Sequence, residues 1–211
     1  MKYQCIIFDC DGVLVDSEGI STRVLLDMAN VLGAAIDVDF FERNFAGKSL
    51  KSILEVIDSR IDQPIPSDFE ARYRQKTYEA FRRDMKPIEG IHQLLDTIKV
   101  PYGVASSGPP EKIRLNLTTV GLIDKFEGRI FSSYDIGSWK PDPDIFEYAA
   151  REMGFSPQEC AVVEDSIAGV MAAMKGGFDV FGFATTKNQR ELEKEGATVF
   201  FHMGELGDLI R

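Results

Sequence analysis

Two aspartates, Asp9 and Asp11, stand two residues apart in the segment FDCDG, just before Gly12. Carboxylates so placed are either turn formers, the common fate of Asp after a strand, or a reactive pair. In a reactive pair one carboxylate attacks phosphorus while the other manages the leaving-group proton. Asp suits attack because it is already ionised near neutrality, with an unperturbed pKa of about 3.9. Its partner must carry a proton when it meets a leaving alkoxide, then return as a base to activate water against the acyl phosphate. Two like charges this close oppose joint ionisation, which helps keep one of them protonated. An anion approaching a phosphate dianion is repelled, so this chemistry needs a cation. Mg²⁺ fits, held by oxygen ligands and water.

Three more polar clusters follow apparent strands. Glu164-Asp165 could complete an all-oxygen cation site with Asp9, or could simply cap the next helix. Ser106-Ser107-Gly108 offers hydroxyls and backbone amides near a helix opening at Pro109-Pro110, an arrangement that receives anions. Lys140 sits just before Pro141-Asp142-Pro143, where the prolines stiffen the loop that aims its ammonium. Each cluster alone is weak. Together they gain weight, because the strand ends of an open α/β sheet gather at one edge, where ligands bind.

The pattern along the chain supplies that sheet. Gln4 to Phe8 reads as a strand buried on both faces. From Asp16 the spacing turns helical through Ile20, Val24, Met28 and Val31 to a stop at Gly33, and again through Leu50, Ile53, Leu54, Ile57 and Ile61. Ser67-x-x-Glu70 predicts a capping box before a further helix through Tyr73 and Phe81. After Pro87 strands and helices alternate: strands near Tyr102 to Ala105, Arg129 to Ser132, Ala161 to Val163, Val180 to Phe183 and Thr198 to Phe201. One of the intervening helices is expected to open at Asp142-Pro143 and end at Gly154. Such alternation means a parallel sheet with helices on both faces. The expected architecture is a Rossmann-like three-layer core from 1–15 and 87–211, interrupted by a helical insertion over 16–86.

Composition narrows the partners. At 211 residues and 44% hydrophobic content the chain can bury a full core, and its longest apolar runs fall far short of the roughly 20 residues of a membrane span. No export signal is apparent, so a cytoplasmic protein is expected. The net charge of −10 argues against nucleic acid, which requires a concentrated basic face. Residues 16–86 are nearly balanced, with 11 basic and 13 acidic side chains against 13 and 21 elsewhere, so some of those cations are candidates to face an anionic substrate. Cys5, Cys10 and Cys160 lack metal-ligand spacing and read as reduced core residues. His92 and His202 have no partners at catalytic spacing. Trp139 either shapes a pocket wall or packs under Lys140. Gly47-Lys48-Ser49 suggests a P-loop, but that motif needs a glycine where Glu42 stands.

These motifs, in this order, resemble those of the haloacid-dehalogenase-like phosphohydrolase superfamily over essentially the whole chain. DCDGVLVDSE is similar to its first motif, SSG to its second, the Lys140 loop to its third and VVEDS to its fourth. The resemblance implies Asp9 as nucleophile and Asp11 as general acid and base, with Ser106, Ser107 and Lys140 binding the phosphoryl group. It also implies Mg²⁺ held by Asp9, the Asp11 carbonyl and Asp165, with Glu164 acting through water. The insertion resembles the helical cap of the beta-phosphoglucomutase and sugar-phosphatase branch, whose cap loop makes Lys48, and secondarily Arg43, expected substrate contacts. Dehalogenases of the superfamily lack the second Asp, and the mutase carries a cap histidine where Ser21 stands here. A phosphatase acting on a small phosphorylated metabolite, a sugar phosphate or a phosphosugar acid such as 6-phosphogluconate, is therefore expected, with a mutase or a silent phosphate-binding regulator as alternatives. Nothing in these residues specifies an oligomeric state.

Overall fold

Cys5, Ile6, Ile7 and Phe8 have no exposed surface, so side chains on both faces of this strand are packed. That suits the centre of a parallel sheet, where helices cover both sides. The computed structural model describes residues 2–45 and 50–210. In chain order, β1 (Cys5–Phe8) and β2 (Val15–Asp16) precede α1 (Glu18–Val31), α2 (Val38–Phe45), α3 (Leu50–Asp58) and α4 (Phe69–Asp84). Next come β3 (Lys86–Pro87), α5 (Ile91–Thr97), β4 (Tyr102–Ser106), α6 (Pro110–Thr119), α7 (Ile123–Phe126), β5 (Ile130–Ser132), α8 (Ser133–Ile136) and α9 (Asp144–Met153). A 3₁₀ turn at Pro157–Glu159 leads into β6 (Cys160–Glu164), α10 (Ile167–Lys175), β7 (Asp179–Phe183), α11 (Gln189–Lys194), β8 (Thr198–Phe200) and α12 (Met203–Leu209). No described helix is long and apolar enough to cross a membrane.

The chain divides into two units, Met1–Asp16 with Lys86–Arg211, and Ser17–Met85. The first holds a six-stranded sheet ordered β5-β4-β1-β6-β7-β8, with every neighbouring pair parallel. Alternation along β1 feeds both faces. Cys5 and Ile7 join Ile145 and Phe146 of α9 and Val170 of α10 in one apolar cluster, while Phe8 on the opposite face meets Phe126 of α7 edge-on at 6.4 Å. Because the chain runs outward from β1 first through β4 and β5, then on the other side through β6, the strand order switches at β1. A crevice at the carboxyl end of β1 follows from that topology.

The second unit is helical and has its own core, in which Leu25, Phe45, Ile53, Ile57 and Phe69 are buried together. The expected capping box at Ser67 does not form. Phe69 N–H bonds the Pro66 carbonyl at 2.9 Å, so the chain turns once more before α4 begins, and Glu70 pairs with Arg74 at 2.7 Å instead. Similarly, α9 starts at Asp144 rather than at Asp142-Pro143, because Pro143 is the N-cap, its carbonyl accepting from the Phe146 and Glu147 N–H groups at 3.0 and 3.2 Å.

Candidate active site

Parallel strands bring Asp9, Ser106 and Glu164 to one edge: Asp9 directly follows β1, Ser106 ends β4 and Glu164 ends β6, the two neighbours of β1. Lys140 reaches all three strand ends. Its Nζ donates to Asp9 Oδ1 at 2.5 Å, to Glu164 Oε1 at 2.6 Å and to the Ala105 carbonyl at 3.3 Å. The side chain is only 6% exposed, and Nζ lies 4.7 Å from the centre of the Phe146 ring. Burial alone would lower this ammonium's pKa, but the Asp9 and Glu164 carboxylates outweigh it and hold it above the usual lysine range. Asp9 shows the converse balance. Burial pushes its carboxyl up to about 7, with the Glu164 and Asp11 charges adding to the rise and Lys140 opposing it, so without a bound cation Asp9 is only partly ionised near neutrality, not fully as its unperturbed value predicts.

Glu164 has both oxygens engaged. Oε2 accepts from the backbone N–H groups of Asp165 at 2.9 Å and Ser166 at 2.8 Å, and from the Ser166 hydroxyl at 2.9 Å. Ser166 Oγ in turn caps α10 by accepting from Gly169 N–H at 3.0 Å. The carboxylate lies so close over the helix that a Cβ at position 169 would fall 1.8 Å from Oε1. Gly169→Ala should therefore reverse the usual rule that Ala outdoes Gly in a helix by about 1 kcal/mol. Denaturant unfolding is expected to show a loss of about 1–3 kcal/mol, the ordinary cost of overpacking.

Asp165 meets the first loop directly. Gly12 has φ +80°, and a Cβ there would fall 1.9 Å from Asp165 Oδ2, so only glycine permits both the turn and the contact. The Asp165 carbonyl is held by Asn188 Nδ2 at 3.0 Å. The Asp165 carboxylate thus lies against Gly12, in the loop that carries Asp9 and Asp11. Among the described residues no three His, Cys, Asp or Glu side chains form a ready cation cluster. Mg²⁺ does not need one, since it is usually held by one or two carboxylates with waters and phosphate oxygens. The donor set fits that ion.

The other expected residues fall as follows. Ser106 is buried and its hydroxyl accepts from Gly108 N–H at 3.1 Å, while Ser107 is half-buried in the same loop. Arg43 is exposed on α2, and Lys48, with the rest of Gly47-Lys48-Ser49, lies outside the described residues. Cys5, Cys10 and Cys160 are free and buried. His92 bonds the Val120 carbonyl through Nε2 at 3.1 Å, a structural role. Trp139 is 45% exposed and meets Tyr134 edge-on, so the ring under Lys140 is Phe146.

Sequence reading missed the partners of Asp11. Lys112 Nζ pairs with Oδ2 at 2.8 Å and Asn116 Nδ2 donates to Oδ1 at 3.1 Å, both from α6. Their spacing of four on a helix that follows SSG was the available signal. Ser132 was missed too. It donates to the Gly108 carbonyl at 2.7 Å and so braces the Ser106 loop from β5.

Known proteins share this fold. The profile of the haloacid dehalogenase-like hydrolases matches residues 3–177. The 6-phosphogluconate phosphatase of Escherichia coli (strain K12) is 31% identical over 209 residues, covering 99% of this chain and 95% of its own. A conserved haloacid dehalogenase-like protein of Agrobacterium tumefaciens str. C58 superposes with a TM-score of 0.85 at 33% identity, over 99% of this chain and 97% of its own. A HAD family hydrolase of Deinococcus radiodurans R1, solved with bound phosphate and sodium, gives 0.83 at 27% identity, over 97% of this chain and 93% of its own. The profile match over residues 3–177, with the sequence and fold matches over 99% of the chain, means that it belongs to the haloacid dehalogenase-like hydrolase family.

Proposed function

We propose that the chain is a Mg²⁺-dependent phosphatase that hydrolyses a small sugar phosphate or phosphosugar acid through a phosphorylated Asp9. The observation that carries this reading is the Lys140 ammonium bonded at once to the Asp9 carboxylate and to the ends of both strands beside it. Asp9 attacks phosphorus, forming one P–O bond as the bond to the substrate alkoxide breaks. Asp11 gives that alkoxide a proton. Asp11 then takes a proton from water, the hydroxide oxygen bonds phosphorus, and inorganic phosphate leaves Asp9 free again. Lys140, Ser106 and Ser107 hold the transferring oxygens, and Glu164 contributes by fixing Lys140 and the Asp165 turn. Asp9, Asp165 and the Asp11 carbonyl would hold Mg²⁺, which supplies the positive charge that lets a buried carboxylate approach a phosphate dianion.

Hydrolysis is favoured over mutase chemistry by Ser21. Its hydroxyl donates to the Ser17 carbonyl at 2.8 Å, one helical turn back, so it is committed to the backbone. The likeness to a 6-phosphogluconate phosphatase makes that phosphosugar acid the first substrate to try, and the phosphate held by the Deinococcus hydrolase supports an anion site in this fold.

The test is phosphate release from 6-phosphogluconate and a panel of hexose and pentose phosphates, with Mg²⁺ and then with excess EDTA. Turnover on part of the panel that falls at least about 100-fold on chelation is expected. Full turnover in EDTA, or none on any ester with Mg²⁺ present, would sink the reading.

A further inference from the structure

Asp11 is the reactive group whose position the loop alone does not fix. Its side chain is about a quarter exposed, at 25%, and an unpaired side chain there would sample several rotamers. Two donors on α6 prevent that. Lys112 and Asn116 lie one helical turn apart on one face of the helix and each takes a different oxygen of the same carboxylate. The register of α6 is set by the phosphate-facing loop, since Lys112 and Ile113 donate to the Pro109 carbonyl and Gly108 N–H bonds Ser106 Oγ. The group that handles protons is thereby tied to the loop that faces the phosphoryl group.

Asn116 adds an independent reason. It has no exposed surface, spends Nδ2 on Asp11, and leaves Oδ1 without a partner among the described residues. A buried acceptor left unmade is costly, and an apolar residue of the same shape would avoid the penalty. Stability does not explain an amide here. Its bond to Asp11 does.

We infer that Lys112 and Asn116 are positioning residues that fix the Asp11 carboxyl group for proton transfer, acting through Asp11 and not on the substrate. This rests on the phosphatase reading above. Proximity effects of this kind are steep, because a displacement of about 1 Å at a reacting group can cost about 100-fold in rate.

The experiment uses p-nitrophenyl phosphate with Mg²⁺, whose phenolate leaves without a proton. Phosphorylation of Asp9 is then insensitive to Asp11, whereas hydrolysis of the phosphoenzyme still needs Asp11 as base. In Lys112→Met, acid-quenched samples are expected to show phosphoenzyme accumulating, with its hydrolysis slowed about 10-fold or more and its formation within about 2-fold of wild type. Lys112→Arg should recover most of the rate. In an Asp11→Ala background, Lys112→Met should change phosphoenzyme hydrolysis by less than about 2-fold, because residues acting through one group are not additive. Wild-type kinetics in Lys112→Met would overturn the inference, as would equal slowing in both backgrounds or a loss confined to phosphoenzyme formation, which would make Lys112 a substrate contact. If the wild-type chain forms no phosphoenzyme at all, the phosphatase reading itself fails. If wild type turns over and Asp11→Ala stalls while Lys112→Met does not, this inference alone fails.

Discussion

Asp9→Asn is expected to abolish turnover while making the metal-free protein more stable at pH 8. The first effect follows from the nucleophile's role, and loss of such a group costs about 10⁴-fold or more in kcat. The second follows from its burial. The Asp9 carboxyl is pushed up to about 7 in the folded chain from an ordinary value of 3.8, chiefly because burial disfavours its charge. The folded state therefore keeps a proton that the unfolded state gives up. Asp9 favours folding fully below 3.8, and that contribution is lost as pH rises through about 7. Above that pH the ionised group is a liability, only partly offset by Lys140. The neutral amide removes the liability, so thermal unfolding in EDTA should rise by several degrees at pH 8, on the scale of 2–4 °C per kcal/mol for a domain of this size. At pH 5 the gain should shrink towards zero. Equal melting temperatures at pH 8, or a gain that grows on acidification, would contradict the burial argument.

The same balance shows which parts of the site were legible in the sequence. Asp9 and Glu164-Asp165 could be found because each directly follows or ends a strand and the alternating pattern made those strands readable, whereas Lys140 was marked by the prolines after it, in a loop that follows α8 and not β5. The sheet itself was legible for the same reason, since four consecutive buried residues in β1 leave little room for another reading. What escaped was set by contacts between distant segments. Lys112 and Asn116 resemble ordinary helix-surface residues until the fold lays α6 against Asp11, 101 and 105 residues away. Capping was misread in both directions. Ser67-x-x-Glu70 fits a box that an extra turn at Pro66 disperses, whereas Ser132 with Asp135 and Ser156 with Glu159 form boxes before helical segments too short to show periodicity. Local sequence sets the capacity for a cap, and the path of the entering chain decides whether it is used.

Lys140→Met should cost more stability than any other single substitution at this site. Methionine keeps much of the side-chain volume against Phe146 but leaves Glu164, 1% exposed, and Asp9, 8% exposed, without the cation that both share. Removing one partner of a buried ion pair costs about 3–5 kcal/mol, because the remaining charge stays desolvated. For a domain of this length that corresponds to a fall of roughly 10 °C in Tm. The pH dependence has a fixed sign. Without Lys140 the pull that lowers the Asp9 pKa is gone, so its folded-state value rises further, and the penalty is largest where the Asp9 carboxyl must ionise. The Tm difference from wild type should therefore be greatest near pH 8 and narrow as pH falls. Lys140→Met with Glu164→Gln should recover part of the loss, since the amide oxygen can still accept from the Asp165 and Ser166 N–H groups while carrying no charge. Neither variant should hydrolyse phosphate esters at a useful rate, because both lack the ammonium that holds the transferring group. A Lys140→Met protein as stable as wild type at pH 8 would mean that the three charges do not depend on one another, and the linkage of Lys140 to Asp9 and Glu164 would then carry no energetic weight.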